Sequence, residues 1–107
     1  MKKYRLEACV DSVESACQAA EGGADRLELC SNLIIGGTTP SPALFNRIRE
    51  LMDIKINVLI RPRYGDFLYT DHEFEIICSE IKAFRELGAD GIVAGCLTAD
   101  GFLDIGR

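Results

Sequence analysis

The stretch Gly22-Gly23-Ala24-Asp25-Arg26-Leu27-Glu28-Leu29-Cys30 decides the fold, because its pattern returns at Gly88-Ala89-Asp90-Gly91-Ile92-Val93-Ala94-Gly95-Cys96. The two Gly-Ala-Asp copies stand 65 positions apart, from Gly23 to Gly88. In each, glycine ends a helical pattern and Asp leads into a short apolar run. The plain reading is that Gly caps the helix and Asp tightens the turn. The repeated cassette of helix end, Gly-Ala-Asp and strand also fits the way successive strands of a (βα)8 barrel are entered. An offset of 65 then equals about two βα units at roughly 30 residues each.

Outward from these anchors, strand and helix signals alternate. Tyr4 to Val10 reads as a first strand. Val13, Ala16, Cys17 and Ala20 fall at i, i+3, i+4 and i+7, one face of a helix. Asp11 with Glu14 predicts its capping pair, and Gly22-Gly23 stops it. Arg26 to Cys30 is the second strand, and Ser31 to Thr39 a polar loop. Ser41 predicts an N-cap, Pro42 the first helical position, and Leu44, Ile48 and Leu51 the apolar stripe of a second helix. Ile56 to Ile60 is apolar apart from Asn57, the pattern of a strand buried on both faces. Arg61 to Tyr69 is a loop rich in charge and aromatics. Thr70-Asp71-His72-Glu73 reads as a capping box, with Phe74, Ile77, Cys78 and Ile81 as the core stripe of a third helix ending near Gly88. Gly91 to Cys96 is the fourth strand, and Leu97 to Arg107 a tail with a turn at Asp100-Gly101.

Repeated strand–helix–strand units predict right-handed crossovers and a parallel sheet. The expected fold is therefore α/β, of the TIM (βα)8-barrel class. Residues 1–107 form one domain covering about the first four βα units, a half-barrel, since a full barrel takes about 250 residues. Helices on one face leave the other face of a four-stranded sheet bare. Either the chain is an N-terminal portion of a longer protein, or two copies associate, so a homo-oligomer, a dimer, is expected.

Composition narrows the function. Twelve Lys and Arg against 17 Asp and Glu give a net charge of −5, which argues against nucleic acid as a partner. No apolar run approaches the roughly 20 residues of a membrane span. Met1-Lys2-Lys3-Tyr4-Arg5-Leu6-Glu7 puts a carboxylate where an export signal needs an apolar core. A cytoplasmic location follows as the expectation. The five cysteines (Cys9, Cys17, Cys30, Cys78, Cys96) are an odd number, against a disulfide framework.

Strands one and two align at an offset of 21, Leu6-Glu7-Ala8-Cys9 over Leu27-Glu28-Leu29-Cys30. Side chains alternate along a strand. Glu7, Cys9, Glu28 and Cys30 then share one face, and Leu6, Ala8, Leu27 and Leu29 the other, which the helices must cover. Cys9 and Cys30 come last, at the C-terminal mouth where barrel sites are built. Two thiols at matched depth on adjacent strands can clamp one ion, and two soft sulfurs suit Cu(I) better than four-ligand zinc. They can equally be small buried packing residues. Glu7 and Glu28 need partners or protonation. Arg61 is the expected counter-charge, with Arg63 and Asp66 following. The cluster reads as a structural ion network or as an acid–base site, because close like charges push one carboxyl pKa up. Cys17 and Cys78 read as helix-core residues. Cys96 has the wrong parity to join the pair. His72 reads as a solvated residue of a first helical turn. Gly36-Gly37-Thr38-Thr39-Pro40-Ser41 reads as a capped loop, or an anion site at a helix start.

Four ordered motifs resemble the CutC family, whose name is linked to copper homeostasis. They are Cys9-Val10-Asp11-Ser12-Val13-Glu14-Ser15, Gly22 to Ser31, Gly36 to Ser41, and Ile60-Arg61-Pro62-Arg63 with Gly65-Asp66-Phe67-Leu68-Tyr69. The match runs from about Leu6 to Asp104. The resemblance implies a cytosolic (βα)8 barrel, commonly a homodimer, more than twice this length. It implies Cys9 and Cys30 as copper ligands and Glu7, Glu28, Arg61 and Arg63 as an inner polar cluster. Tyr64 stands where other members have a second Gly, which implies a stiffer loop. Two functions follow as expectations. One is Cu(I) binding in copper homeostasis. The other is an enzyme acting on a small anionic metabolite, with Arg61 and Arg63 holding it, Glu7 or Glu28 as acid–base, and Asp66 orienting one of them.

Overall fold

Strands and helices alternate along the chain in the computed structural model, which describes residues 3–107. They are β1 (Glu7–Val10), α1 (Val13–Glu21), β2 (Arg26–Leu29), α2 (Pro42–Leu51), β3 (Lys55–Leu59), α3 (Asp71–Leu87) and β4 (Gly91–Val93), with a 3-10 turn at Leu33–Ile35. The sheet order is β1-β2-β3-β4 and every pairing is parallel. This is an α/β half-barrel, four strands with three helices packed on one face. Met1 and Lys2, on which the reading of the N-terminus partly rests, lie outside the described residues.

Alternation in the strands makes the core. Val10, Leu27, Leu29, Ile56, Val58 and Ile60 turn to the helices and are buried with Ala16, Phe45, Ile48, Ile77 and Phe84. Phe45 of α2 and Phe84 of α3 meet edge to face, centroids 5.9 Å apart. The Gly-Ala-Asp cassettes act as clamps. Asp25 N donates to Leu6 O and its Oδ2 accepts from Leu6 N, both at 2.8 Å. Asp90 does the same to Ile56 at the start of β3, with both bonds at 2.9 Å. Gly88 takes φ +96° to end α3, a conformation glycine adopts without strain.

The capping signals hold at Ser41, whose side chain accepts from Leu44 N with Pro42 behind it, and in the Thr70–Glu73 capping box. Several boundaries differ from expectation. The N-cap of α1 is Ser12, in a capping box with Ser15, instead of an Asp11–Glu14 pair. β1 starts at Glu7 and not at Tyr4, because Leu6 N is taken by Asp25. β4 ends at Val93, and Ala94-Gly95-Cys96 leaves the sheet as Leu97 N turns to Phe67 O. The predicted double burial of β3 is also corrected. Ile56 and Val58 are buried, but Asn57 and Leu59 face the uncovered side. In the helices, Phe45 and Phe84 carry packing expected of Leu51 and Cys78, which are exposed.

Candidate inner-face site

The uncovered face is built in rows across the strands. Pairing sets Glu7 beside Arg26 and Arg26 beside Lys55. The next row is Cys9, Glu28, Asn57 and Gly91. Cys30 follows β2 one row higher. The parity assigned to Glu7, Cys9, Glu28 and Cys30 thus stands, but their depth does not. The register is offset by 19 and not 21, so Cys9 lies opposite Glu28 and Cys30 sits two residues further up. Matching like residues ignores the stagger that barrel strands require. With strands about 4.8 Å apart and a rise of about 3.3 Å per residue, the two Cα atoms lie on a diagonal of about 8 Å.

Cys9 is exposed and its thiol donates to Glu28 Oε2 at 3.3 Å. Its pKa is raised, by partial burial first and then by Glu28 and Glu7. Cys30 is buried, and its thiol donates to the Glu28 carbonyl at 3.6 Å. Burial first, then Glu28, Cys9, Asp11 and Glu7, pushes its pKa up to about 12. Both sulfurs can serve one soft ion if they lean together to about 4.6 Å, twice a metal–thiolate bond of about 2.3 Å. Among the described residues no group of three or more His, Cys, Asp and Glu is placed to hold a metal.

The carboxylate cluster is wired differently from the expected arrangement around Arg61. Arg26 Nε donates to Glu7 Oε2, and Asn57 Nδ2 reaches the same oxygen at 3.1 Å. Arg26 is the counter-charge. Its alternation with Glu28 along β2 was the signal that could have found it. Asn57, the polar interruption of the apolar run from Ile56 to Ile60, marks the second partner. Its Oδ1 fills the space a Cβ would take at Gly91, 2.4 Å from that position.

Arg61 instead ties loops together. Its Nη1 donates to Gly37 O and its Nη2 to Gly65 O, both at 2.8 Å, with Phe67 stacked on the guanidinium. Its Nε is buried without a hydrogen-bond partner. Arg63 donates from Nε to Glu73 Oε2 at 2.6 Å and from Nη1 to Asp66 O at 2.8 Å, and lies over Tyr69. That bond holds the Glu73 carboxyl below its ordinary range. Asp66 Oδ1 accepts from Leu68 N and from Arg63, so it braces the loop. The Gly36–Ser41 loop receives Arg61, and Ser41 caps α2. His72 is exposed, Cys17 is half-buried, and Cys96 packs against the core.

Comparison with known proteins extends this picture. The CutC family model matches residues 4–107. The copper homeostasis protein cutC homologs of Homo sapiens and Mus musculus are 52% and 50% identical to this chain over 101 residues, covering 94% of it and 37% of each relative. Family protein CutC of Bacteroides thetaiotaomicron is 49% identical over 106 residues, 98% of this chain and 43% of its own. A crystal structure of CutC from Streptococcus agalactiae superposes with a TM-score of 0.86 at 33% identity, covering 94% of this chain and 50% of that one. The chain spans about two-fifths of the length of the curated relatives it matches.

Proposed function

Since the chain belongs to the CutC family, we propose that it acts in copper homeostasis by holding Cu(I) between the thiolates of Cys9 and Cys30. The observation that carries this reading is their placement on the same inner face, at the C-terminal ends of adjacent strands. Relatives named copper homeostasis protein support copper as the ion. Cu(I) would be a soft cargo matched to sulfur donors. Binding requires each thiol to lose its proton. Cys9 already offers its proton to Glu28 Oε2, and its loss frees Sγ as a ligand. All five cysteines are unpaired, which is consistent with the reducing cytosol we assign. Among the described residues no helix is long and apolar enough to cross a membrane.

An anaerobic Cu(I) titration against a competing chelator tests this on the chain and on a Cys9→Ser, Cys30→Ser double variant. One ion bound per chain, lost in the variant with its circular dichroism unchanged, is the expected result. Equal binding by both proteins would make the two cysteines packing residues.

One observation favours a second reading, an enzyme acting on a small anionic metabolite at the mouth. Arg61 Nε is a buried donor without a partner. Arg61 and Arg63 would hold the substrate, Asp66 would brace Arg63, and Glu7 or Glu28 would act as acid–base. Metabolite binding that survives the double Cys substitution and disappears in Arg61→Ala would support it.

A further inference from the structure

We propose that the segment from Ser31 to Thr38 is a lid over the Cys30 thiol, with the Arg61 guanidinium as the latch that holds it down. The inference rests on the copper reading for what the lid admits, while its geometry is independent of that ion. The segment is a compact loop whose ends meet. Thr38 N donates to Ser31 O at 2.7 Å, and Ser31 N donates to Thr38 O at 2.9 Å. Asn32 turns the chain at φ +53° and donates from Nδ2 to Thr38 Oγ1 at 2.9 Å. A loop closed by its own contacts in this way can move as a unit against the scaffold.

The packed end of the loop lies on Cys30. A Cβ added at Gly37 would stand 3.6 Å from Cys30 Cβ and 3.0 Å from Leu59 Cδ2. The glycine backbone therefore rests directly against the cysteine, and a side chain there would hold the loop off. Cys30 is 2% exposed, so its thiol is shut away by this chain's own residues. The turn itself gives the loop little purchase, since Ile34 at its tip is 96% exposed. Arg61 supplies the hold. Its Nη1 donates to Gly37 O at 2.8 Å and reaches Ile35 O at 3.4 Å. From the other side Gly65 O and the Phe67 ring fix the guanidinium in place. Asp11 Oδ2 accepts from Leu33 N at 3.4 Å, a second and weaker tie. A latch made from one side chain to backbone carbonyls can open without breaking any strand pairing. An ion or reagent from solvent meets Cys30 only when this latch lifts.

Alkylation by iodoacetamide, resolved residue by residue by mass spectrometry, tests the latch in Arg61→Ala and Arg61→Lys. Losing a hydrogen bond from a charged group shifts an opening equilibrium by roughly tenfold or more. Cys30 should therefore be modified at least about tenfold faster in Arg61→Ala, with Arg61→Lys, which keeps the charge and loses the fork, in between. Half-buried Cys17 on α1 should keep its rate. In the wild-type chain the Ser31 and Thr38 amides should exchange with deuterium faster than the β3 amides, at a rate indifferent to low urea. Cu(I) delivered from a chelator should load faster into Arg61→Ala at unchanged stoichiometry. An unchanged Cys30 rate in both variants would overturn the proposal. So would acceleration of Cys17 by the same factor, which marks global loosening, or loop amides that exchange only with the β3 amides. Cu(I) that binds yet loads no faster in Arg61→Ala would overturn the lid's control over the ion. Faster Cys30 alkylation with no Cu(I) bound by the wild-type chain would support the lid and remove the copper reading alone.

Discussion

Replacing Gly91 with alanine should cost stability through a residue on another strand. The added Cβ would stand 2.4 Å from Asn57 Oδ1, closer than non-bonded atoms approach. β4 is paired along its length to β3, so the carboxamide must swing away. In doing so it gives up the 3.1 Å bond from Nδ2 to Glu7 Oε2. A hydrogen bond to a charged group contributes about 1.5–3 kcal/mol, and the low end applies because Glu7 is only half-buried. Alanine also restricts the unfolded chain, which stabilises by about 0.4–1 kcal/mol. The net expectation is a loss of about 1 kcal/mol. In an Asn57→Ala background the obstruction is gone, and Gly91→Ala should stabilise by about 0.5 kcal/mol. The double-mutant cycle therefore predicts a change of sign and a coupling of about 1.5 kcal/mol. Urea unfolding at one fixed protein concentration measures all four species. An equal loss in both backgrounds would show that Asn57 does not occupy the space above Gly91, and the reasoning about this row would fail.

Other perturbations probe other levels. Phe84→Ala removes half of the Phe45–Phe84 pair from a fully buried site and should cost about 3–5 kcal/mol. A loss below about 1 kcal/mol in thermal unfolding would mean the helices do not meet there. Thr70→Ala removes the N-cap of α3 and should cost about 1 kcal/mol, with recovery in Thr70→Ser. Asp90 has its carboxyl held below its ordinary 3.8 by the Ile56 N–H first and by Arg49. A folded pKa below the unfolded one stabilises above the unfolded value and is lost as pH falls through the folded one. Wild-type stability should therefore drop on acidification below about pH 4, and Asp90→Asn should flatten that drop. An unchanged acid limb would remove Asp90 from the account.

The sheet was legible because its signals are local. Ser41-Pro42 and Thr70 to Glu73 state where helices start, and the Gly-Ala-Asp copies state where strands start. Strand parity assigned the inner face correctly, since alternation survives any shift by two residues. That same property hid the register. An offset of 19 or 21 puts Cys9 on the same face, and only the stagger of the closed sheet distinguishes them. The error carried into the site, where Arg61 stood in for Arg26 as the partner of Glu7. Arg61 looked free because its actual acceptors, Gly37 O and Gly65 O, are backbone atoms that no side-chain pattern displays.

Electrostatics at the mouth weighs between the two functional readings. An anionic metabolite needs cations with donors to give. Arg26 is committed to Glu7, Arg63 to Glu73 and Asp66, and Arg61 to two carbonyls beneath Phe67. Arg61 Nε, which has no hydrogen-bond partner, is buried. Around the thiols the balance is opposite. Glu28, Glu7 and Asp11 all act on Cys30, and Glu28 accepts from Cys9. Burial first and these carboxylates second make the thiols hard to ionise, and a cation placed between the sulfurs would oppose both effects by neutralising the thiolate charge. A soft monovalent ion would meet both the sulfur donors and the carboxylates of Glu28, Glu7 and Asp11 around Cys30, whereas an anion there would be repelled by those carboxylates. The carboxylates around Cys30 are thus one physical argument for the copper reading we propose over the metabolite reading.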